Sequence, residues 1–206
     1  MFNMARAWGY TERENPVTGV RGFELAKREV YVRDVIFKAV WQAATAPLRD
    51  AMDLAYLTGQ RPSDTLRMTE AHLVDGHLTV KQGKTGAKLR IRIEGELATV
   101  LERIKKRKAS HKVWCSSLTV NAWGLGLTKQ TLRKQFETAR TQAAINHPDM
   151  AAEISAMWFY DLRAKAADDT AELHGDQAAA DLLGHDSVTT TQQHYLRKGK
   201  KVGPTR

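Results

Sequence analysis

Between residues 77 and 93 the chain changes its hydrophobic period. "HLTVK" and "KLRIRI" are rich in β-branched residues and partly alternate, and "QGKTGA" joins them. A two-residue period points side chains to opposite faces and cannot be continued as a helix, so this stretch predicts a β-hairpin or a small sheet. On either side the spacing is helical. "VRDVIFKAVWQAA" sets Val32, Val35, Ile36, Ala39 and Val40 at the i, i+3, i+4 intervals of a buried face. Pro47 opens "PLRDAMDLAYLTG", which should stop at Gly59, and "RPSDTLRM" starts another helix with Pro62 and Ser63 in its first turn. "GELATVLERIKKRKA" and "LTKQTLRKQFETARTQAA" follow the hairpin as helices. "WFYDLRAKAADDTAEL", "DQAAADLLG" and "SVTTTQQHYLR" give three more close together, with Trp158 and Phe159 expected in the core. The expected fold is mainly α with a small antiparallel β-sheet.

The ends read differently. Residues 1–10 suggest a helix fragment, and "YTERENPVTGVRGFE", with Pro16, Gly19 and Gly22, has linker chemistry. Residues 1–28 are therefore expected to be the end of a preceding domain plus a linker, 29–198 the main domain, and 199–206 a tail. The stretch "LRKGKKVGPTR" after Tyr195 is short, polar and basic, and is expected to be flexible in the isolated domain.

Charge narrows the function. Lys and Arg number 32 against 23 Asp and Glu, a net +9, which favours a polyanionic partner, nucleic acid foremost. The basic residues are spread through the chain and do not line one amphipathic helix, which argues against a membrane surface. No apolar run approaches the roughly 18 residues of a membrane span, and "MFNMARAWGY" lacks the apolar stretch of a signal peptide. The lone Cys115 excludes an internal disulfide framework and suits a reducing cytoplasm.

Several short pieces could carry chemistry. In "LTGQRPSD", Arg61 follows Gly59 at a turn-to-helix junction and is either a phosphate fork or an ordinary surface arginine; Asp64 pins the turn. Lys84 lies on the hairpin connection. "GKT" there is not a nucleotide loop, because position 78, where that motif has its first Gly, is Leu, and a strand follows. Lys84 is thus a solvated turn charge or a contact to a DNA backbone. Tyr160 and Arg163 are three apart and share a helix face. In "LLGHDSVTTTQQHY", Gly184 ends one helix, Asp186 or Ser187 caps the next, and His185 is held on the turn with Tyr195 near the far end. His174, His185 and His194 lack the cysteine or spaced carboxylate of a metal site, so no metal and no other cofactor is expected.

In this order the pieces resemble the catalytic domain of a tyrosine recombinase of the phage-integrase type. That pattern has an Arg in "TG-x-R", a Lys on a hairpin, an H-x-x-R box, an "LGH" turn and a downstream Tyr, met here by Arg61 in "TGQR", Lys84, Arg163 in "YDLR", His185 in "LLGH" and Tyr195. The resemblance runs over roughly residues 30–198. It departs at Tyr160, where the box usually has His, at Ala164, often His, and in the His185-to-Tyr195 interval, one residue longer than usual, so that His194 falls where the Tyr often lies. One extra residue turns a helix by about 100°, which a local loop or bulge must absorb.

The resemblance implies a site-specific DNA recombinase that integrates or excises a mobile element such as a prophage. Tyr195 would attack the scissile phosphorus to give a 3′-phosphotyrosine and a free 5′-hydroxyl. Arg61 and Arg163 would clamp the non-bridging oxygens, with His185 and Tyr160 hydrogen-bonding the phosphate, and Lys84 would protonate the leaving oxygen. Lys81, Lys88 and Arg90 on the hairpin, and Lys129 and Arg133 on the "LTKQTLRKQF" helix, are candidate DNA contacts. Implied partners are double-stranded attachment sites, a homotetramer on synapsed DNA (a monomer as an isolated domain) and accessory directionality or DNA-bending proteins, in the cytoplasm and at the nucleoid of a bacterial host. A recombinase-like DNA-binding protein that does not cleave, a type IB topoisomerase-like enzyme and a helical scaffold remain as alternatives.

Overall fold

The computed structural model describes residues 1–23, 26–199 and 204–205. In chain order these form α1 (Phe2–Ala7), α2 (Asp34–Ala43), α3 (Ala46–Thr58), α4 (Pro62–Thr65), β1 (Leu73–Val74), β2 (His77–Lys81), β3 (Lys88–Arg92), α5 (Gly95–Ala109), α6 (Lys129–Asn146), α7 (Ala151–Ala156), α8 (Asp161–His174), α9 (Asp176–Leu183) and α10 (Val188–His194). No helix among them is long and apolar enough to cross a membrane.

The sheet is antiparallel in the order β1-β2-β3, and β2 pairs with β3 from His77↔Arg92 to Lys81↔Lys88. Its period is the expected one. Leu78 and Val80 are buried, Leu89 and Ile91 half-buried, and Lys88, Arg90 and Arg92 face out. The two-residue β1 was not evident in the sequence, because "LV" is too short to show a period.

α3 is the central element, with apolar residues on more than one face. Leu48, Ala51, Met52 and Ala55 pack with α2, α6, Phe159 and Leu162 in one core. Leu54 joins a second, formed with Leu78 and Val80 of the sheet and Leu97, Val100, Leu101 and Ile104 of α5. In the first core Val32, Ile36, Ala39 and Val40 are buried as expected, but Val35 is 49% exposed. It lies one residue, or about 100°, from Ile36, which puts it beyond the edge of the stripe. Trp158 also departs from expectation: it is 55% exposed, with the Arg28 guanidinium 3.8 Å from its ring centre, while Phe159 fills the core against Phe136.

A buried carboxylate ties α3 to α5. Asp50, 1% exposed, accepts from Arg103 Nε at 2.9 Å and Arg107 Nε at 2.7 Å. A third, smaller cluster joins α8 to α9 through Ala164, Ala167, Ala179 and Leu183, and takes in Tyr195. Small side chains on α8 let α9 approach closely enough to carry the residues that follow it.

After α10 the chain does not fray at once. The Arg197 and Lys198 amides donate to Asp168 Oδ1 at 2.9 and 3.0 Å. The stretch expected to be flexible is thus bonded to α8 as far as Lys198; positions 200–203 and 206 of the tail lie outside the described residues. Asp50→Ala should leave two arginines without their buried partner and lower the unfolding free energy by about 2–3 kcal/mol, the low end for such pairs because Arg103 is partly solvated. Urea denaturation would measure it.

Candidate active site

Two helices end at one point. α3 closes at Gly59 (φ +63°) and α9 at Gly184 (φ +65°), both left-handed, where a glycine caps a helix without strain. A Cβ on Gly59 would meet Leu183 at 3.0 Å, and one on Gly184 would meet Gln82 Nε2 at 3.0 Å. The two helix ends therefore present their unpaired terminal carbonyls to a shared interior.

Arg163, 1% exposed in the first turns of α8, fills that interior. Its Nη1 donates to Gly59 O at 2.5 Å, and its Nη2 to Leu183 O at 2.8 Å and to His185 Nε2 at 3.2 Å. Its Nε has no protein partner. Gln60 and Gln82, each 1% exposed, complete the junction. Gln60 Nε2 donates to Thr58 O at 2.8 Å, and Gln82 Nε2 to Gln60 Oε1 and Leu183 O, both at 2.8 Å. Gln82 Oε1 in turn accepts from Arg61 Nη1 and Thr85 Oγ1, both at 2.9 Å. Arg61 is thus no ordinary surface arginine: its side chain is 13% exposed. Asp64 pins the turn and also the hairpin loop, accepting from Gly83 N at 3.1 Å.

An arginine N–H can only donate, so His185 Nε2 is the acceptor and Nδ1 carries the proton, donating to Thr191 Oγ1 at 2.8 Å. Burial, then the charges of Arg163 and Arg61, push the imidazole down to about 4. His185 is therefore neutral at physiological pH.

Tyr195 sits just past α10, where Ser187 caps the other end by accepting from Thr189 N. The Tyr195 amide donates to Thr191 O at 2.9 Å, and the Leu196 amide reaches the same oxygen at 3.1 Å. That second bond spans five residues and widens the last turn. The widened turn lengthens the helix end by a residue. Tyr195 turns inward, 8% exposed, and His194 faces solvent.

The Tyr195 hydroxyl lies 2.8 Å from that of Tyr160, and its ring centre 5.0 Å from that of His185. Burial opposes ionisation of Tyr195, but the Tyr160 hydroxyl and the Arg163 and Arg61 charges outweigh it and hold the phenol below the ordinary range. Burial and the same hydrogen bond push Tyr160 up to about 12. Once Tyr195 loses its proton, Tyr160 is the donor of the pair.

These side chains open on a cavity of about 1090 Å³ whose lining includes Arg61, Lys84, Tyr160, His185, Tyr195 and Arg197. Lys84 is exposed on the β2–β3 turn, without an ion-pair partner among the described residues. A second cavity of about 750 Å³ shares Arg61 and Tyr160 and adds Lys129 and Arg133. Arg133 is paired with Glu137 at 2.8 Å. Lys81, Lys88 and Arg90 are exposed on the sheet and line neither cavity. Among the described residues no three His, Cys, Asp or Glu side chains gather as a metal site would need.

Gln60, Gln82 and Thr191 were not anticipated. Thr191 was findable, since Val188, Thr191 and Tyr195 form an i, i+3, i+7 stripe. Nothing local marks the two glutamines, whose partners are remote in sequence.

Gly184→Ala should cost about 1–2 kcal/mol from the left-handed backbone alone, with a further loss from the contact with Gln82, read by urea unfolding. For His185, an unfolded chain binds the proton near 6.5 while the folded one resists until about 4. Stability should therefore fall as pH drops through that window, and His185→Gln should remove this part of the fall. An NMR titration of the His185 ring should show it neutral down to about pH 4.

Known proteins match both the sequence and the fold. The sequence model of the phage integrase family matches residues 33–201. The chain is 30% identical over 211 residues to the integrase of Escherichia phage HK022, covering 98% of this chain and 56% of that protein. It is 28% identical over 179 residues to the integrase of Escherichia phage lambda, covering 85% and 49%. The chain thus spans about half the length of the curated relatives it matches. A lambda integrase catalytic core superposes with a TM-score of 0.62 at 26% identity, over 77% of this chain and 96% of that one. A lambda integrase dimer bound to a core site (residues 75–356) superposes with a TM-score of 0.77 at 24% identity, over 100% and 72%. With its glycine-capped helix ends, buried arginine and inward tyrosine inside the matched region, the chain belongs to the phage integrase family.

Proposed function

We propose that this chain is the catalytic portion of a site-specific DNA recombinase that breaks and rejoins strands through a covalent phosphotyrosine. The observation that carries the reading is the Tyr195 hydroxyl: inward, held by Tyr160, at a cavity lined by Arg61 and Lys84, with the buried Arg163 guanidinium 5.2 Å from the Tyr195 ring centre. A phosphodiester is the anion that such a set of cations and one phenol can both hold and attack.

Tyr195 Oη would attack the scissile phosphorus, forming a 3′-phosphotyrosine as the bond to the 5′-oxygen breaks. Lys84, unpaired on its turn, would give the leaving oxygen a proton. The free N–H groups of Arg61 face the cavity and would meet the non-bridging oxygens, on which charge builds in the transition state, while Arg163, buried behind it with its Nε unpartnered, would add its charge and reach the phosphate only if the side chains around it shift. His185, neutral and close to Tyr195, would have to give up its Nε2 contact with Arg163 to accept the phenolic proton, and the Nε2–H so formed would hydrogen-bond a non-bridging oxygen. The phosphate's own charge would offset the arginines and make this imidazole more basic. Storing the bond energy in the tyrosyl ester lets a second 5′-hydroxyl reverse the step without an energy source.

The substrate is double-stranded DNA carrying an attachment site, in a bacterial cytoplasm, and the working assembly is a tetramer. Supporting this, lambda integrase is seen as a tetramer bound to a Holliday junction. Lys129 and Arg133 flank the site through the second cavity, and Lys81, Lys88 and Arg90 offer a basic face beside it. Affinity from such phosphate contacts falls steeply with salt.

Nicked duplexes bearing candidate attachment sites, from which the cleaved fragment diffuses away, test the reading. A covalent adduct on denaturing gels, abolished by Tyr195→Phe, is expected; an adduct that survives Tyr195→Phe would move the nucleophile elsewhere. Tyr160→Phe removes the hydrogen bond that favours the phenolate, so the pH–rate profile of adduct formation should shift to higher pH.

A further inference from the structure

We propose that Asp161 is a positioning residue that fastens the Tyr195 segment to the stretch of chain ahead of residue 33, by binding Arg28 on one side and Arg197 on the other. The proposal rests on Tyr195 as the nucleophile, but the fastening itself is a matter of geometry. Asp161 is 0% exposed. Its Oδ1 accepts from Arg28 Nε at 2.8 Å and from Arg197 Nη1 at 2.7 Å. Its Oδ2 accepts from Arg28 Nη2 at 2.5 Å and from the Trp158 amide at 2.7 Å. One buried carboxylate thus holds two arginines that are far apart in sequence, from the first residue of α8, the helix that carries Arg163.

The two arginines are themselves constrained. Arg28 lies over the Trp158 ring and donates to Ala156 O at 2.5 Å. Arg197, its side chain 5% exposed, also donates to Val30 O at 2.7 Å. Arg197 lies two residues beyond Tyr195, and its amide is bound to Asp168. A continuous chain of bonds therefore runs from residues 28–30 through Asp161 and Arg197 to Tyr195. Residues 28–30 fall before the region 33–201 that matches the family, so these contacts to them are not part of the pattern that identifies it.

The charge balance makes the fastening conditional. Two cations share one anion, and a buried carboxylate that loses one partner keeps the other more tightly. Displacing Arg28 leaves Arg197 bound but loosens the chain ahead of Val32, which stays in the core, and so weakens the second tie, through Val30, on the segment after Tyr195. A pull on the chain ahead of the domain would thus be felt at the nucleophile.

Hydrogen exchange on the free protein tests this without DNA. Arg28→Ala should speed exchange of the Arg197 and Lys198 amides at least tenfold while the α3 amides stay as in the parent. Arg28→Lys, which keeps the charge but loses the bidentate fork, should give a smaller increase at the same two amides. No change there in either variant would overturn the proposal, and so would an even increase throughout the chain, which would make Arg28 a general structural residue. Adduct formation on the nicked duplex is the separate readout: since Arg28 also lines the cavity, it is read at saturating DNA, where Arg28→Ala should slow it at least tenfold. If the parent forms no adduct the nucleophile reading fails, while the exchange result still decides whether the fastening exists.

Discussion

The whole site depends on how one guanidinium is buried. Removing an arginine from water is expensive unless its N–H groups find partners. Arg163 finds them in carbonyls that would otherwise be orphaned at the ends of α3 and α9. The arrangement solves two problems at once: the helix ends are satisfied by a cation at their negative poles, and the cation is fixed to within a hydrogen bond. Gly59 and Gly184 have to be glycines for the ends to approach, and the buried glutamines complete the seal. His185 follows Gly184 directly, so its place beside the arginine is a consequence of how α9 stops.

From that fixed charge the behaviour of the two tyrosines follows. Burial alone would make both phenols reluctant to ionise. The arginines act on both, yet Tyr195 ends below the ordinary phenol range and Tyr160 above it, because one hydrogen bond can favour only one phenolate of the pair. Tyr160 stands where the family's box usually has a histidine. A tyrosine there places a hydroxyl 2.8 Å from that of Tyr195, so the position still supplies a hydrogen-bonding group.

The parts of this that could be read from sequence are those with a local signature. The hairpin carrying Lys84 announces itself by its period, α3 and α9 by their closing glycines, and the site by the order of "TGQR", "YDLR" and "LLGH". The helix set came out nearly as expected for the same reason. What stayed hidden was tertiary. Gln60 and Gln82 look like surface residues until the helix ends converge on them. Trp158 resembles core, yet it faces outward because Arg28, far away in the chain, stacks on it. Asp161 looks like a first-turn acid on a helix, and only the structure brings Arg28 and Arg197 to it. The extra residue before Tyr195 was visible as a count, but the widened turn that takes it up depends on Thr191 facing inward.

The pairing of Arg61 with a neutral amide has a thermodynamic consequence. Gln82 orients the guanidinium without cancelling its charge, and the nearest carboxylate oxygen, from Asp64, stays 3.9 Å away. Arg163 is likewise met by carbonyls and a neutral imidazole. Arg61 and Arg163 therefore repel one another, a cost that folding must overcome. Any small oxyanion that enters the cavity relieves it, and by mass action such an anion binds the native chain in preference to the unfolded one. The melting temperature of this domain is thus a property of its buffer as well as of its sequence, higher in sulfate or phosphate than in chloride at equal ionic strength.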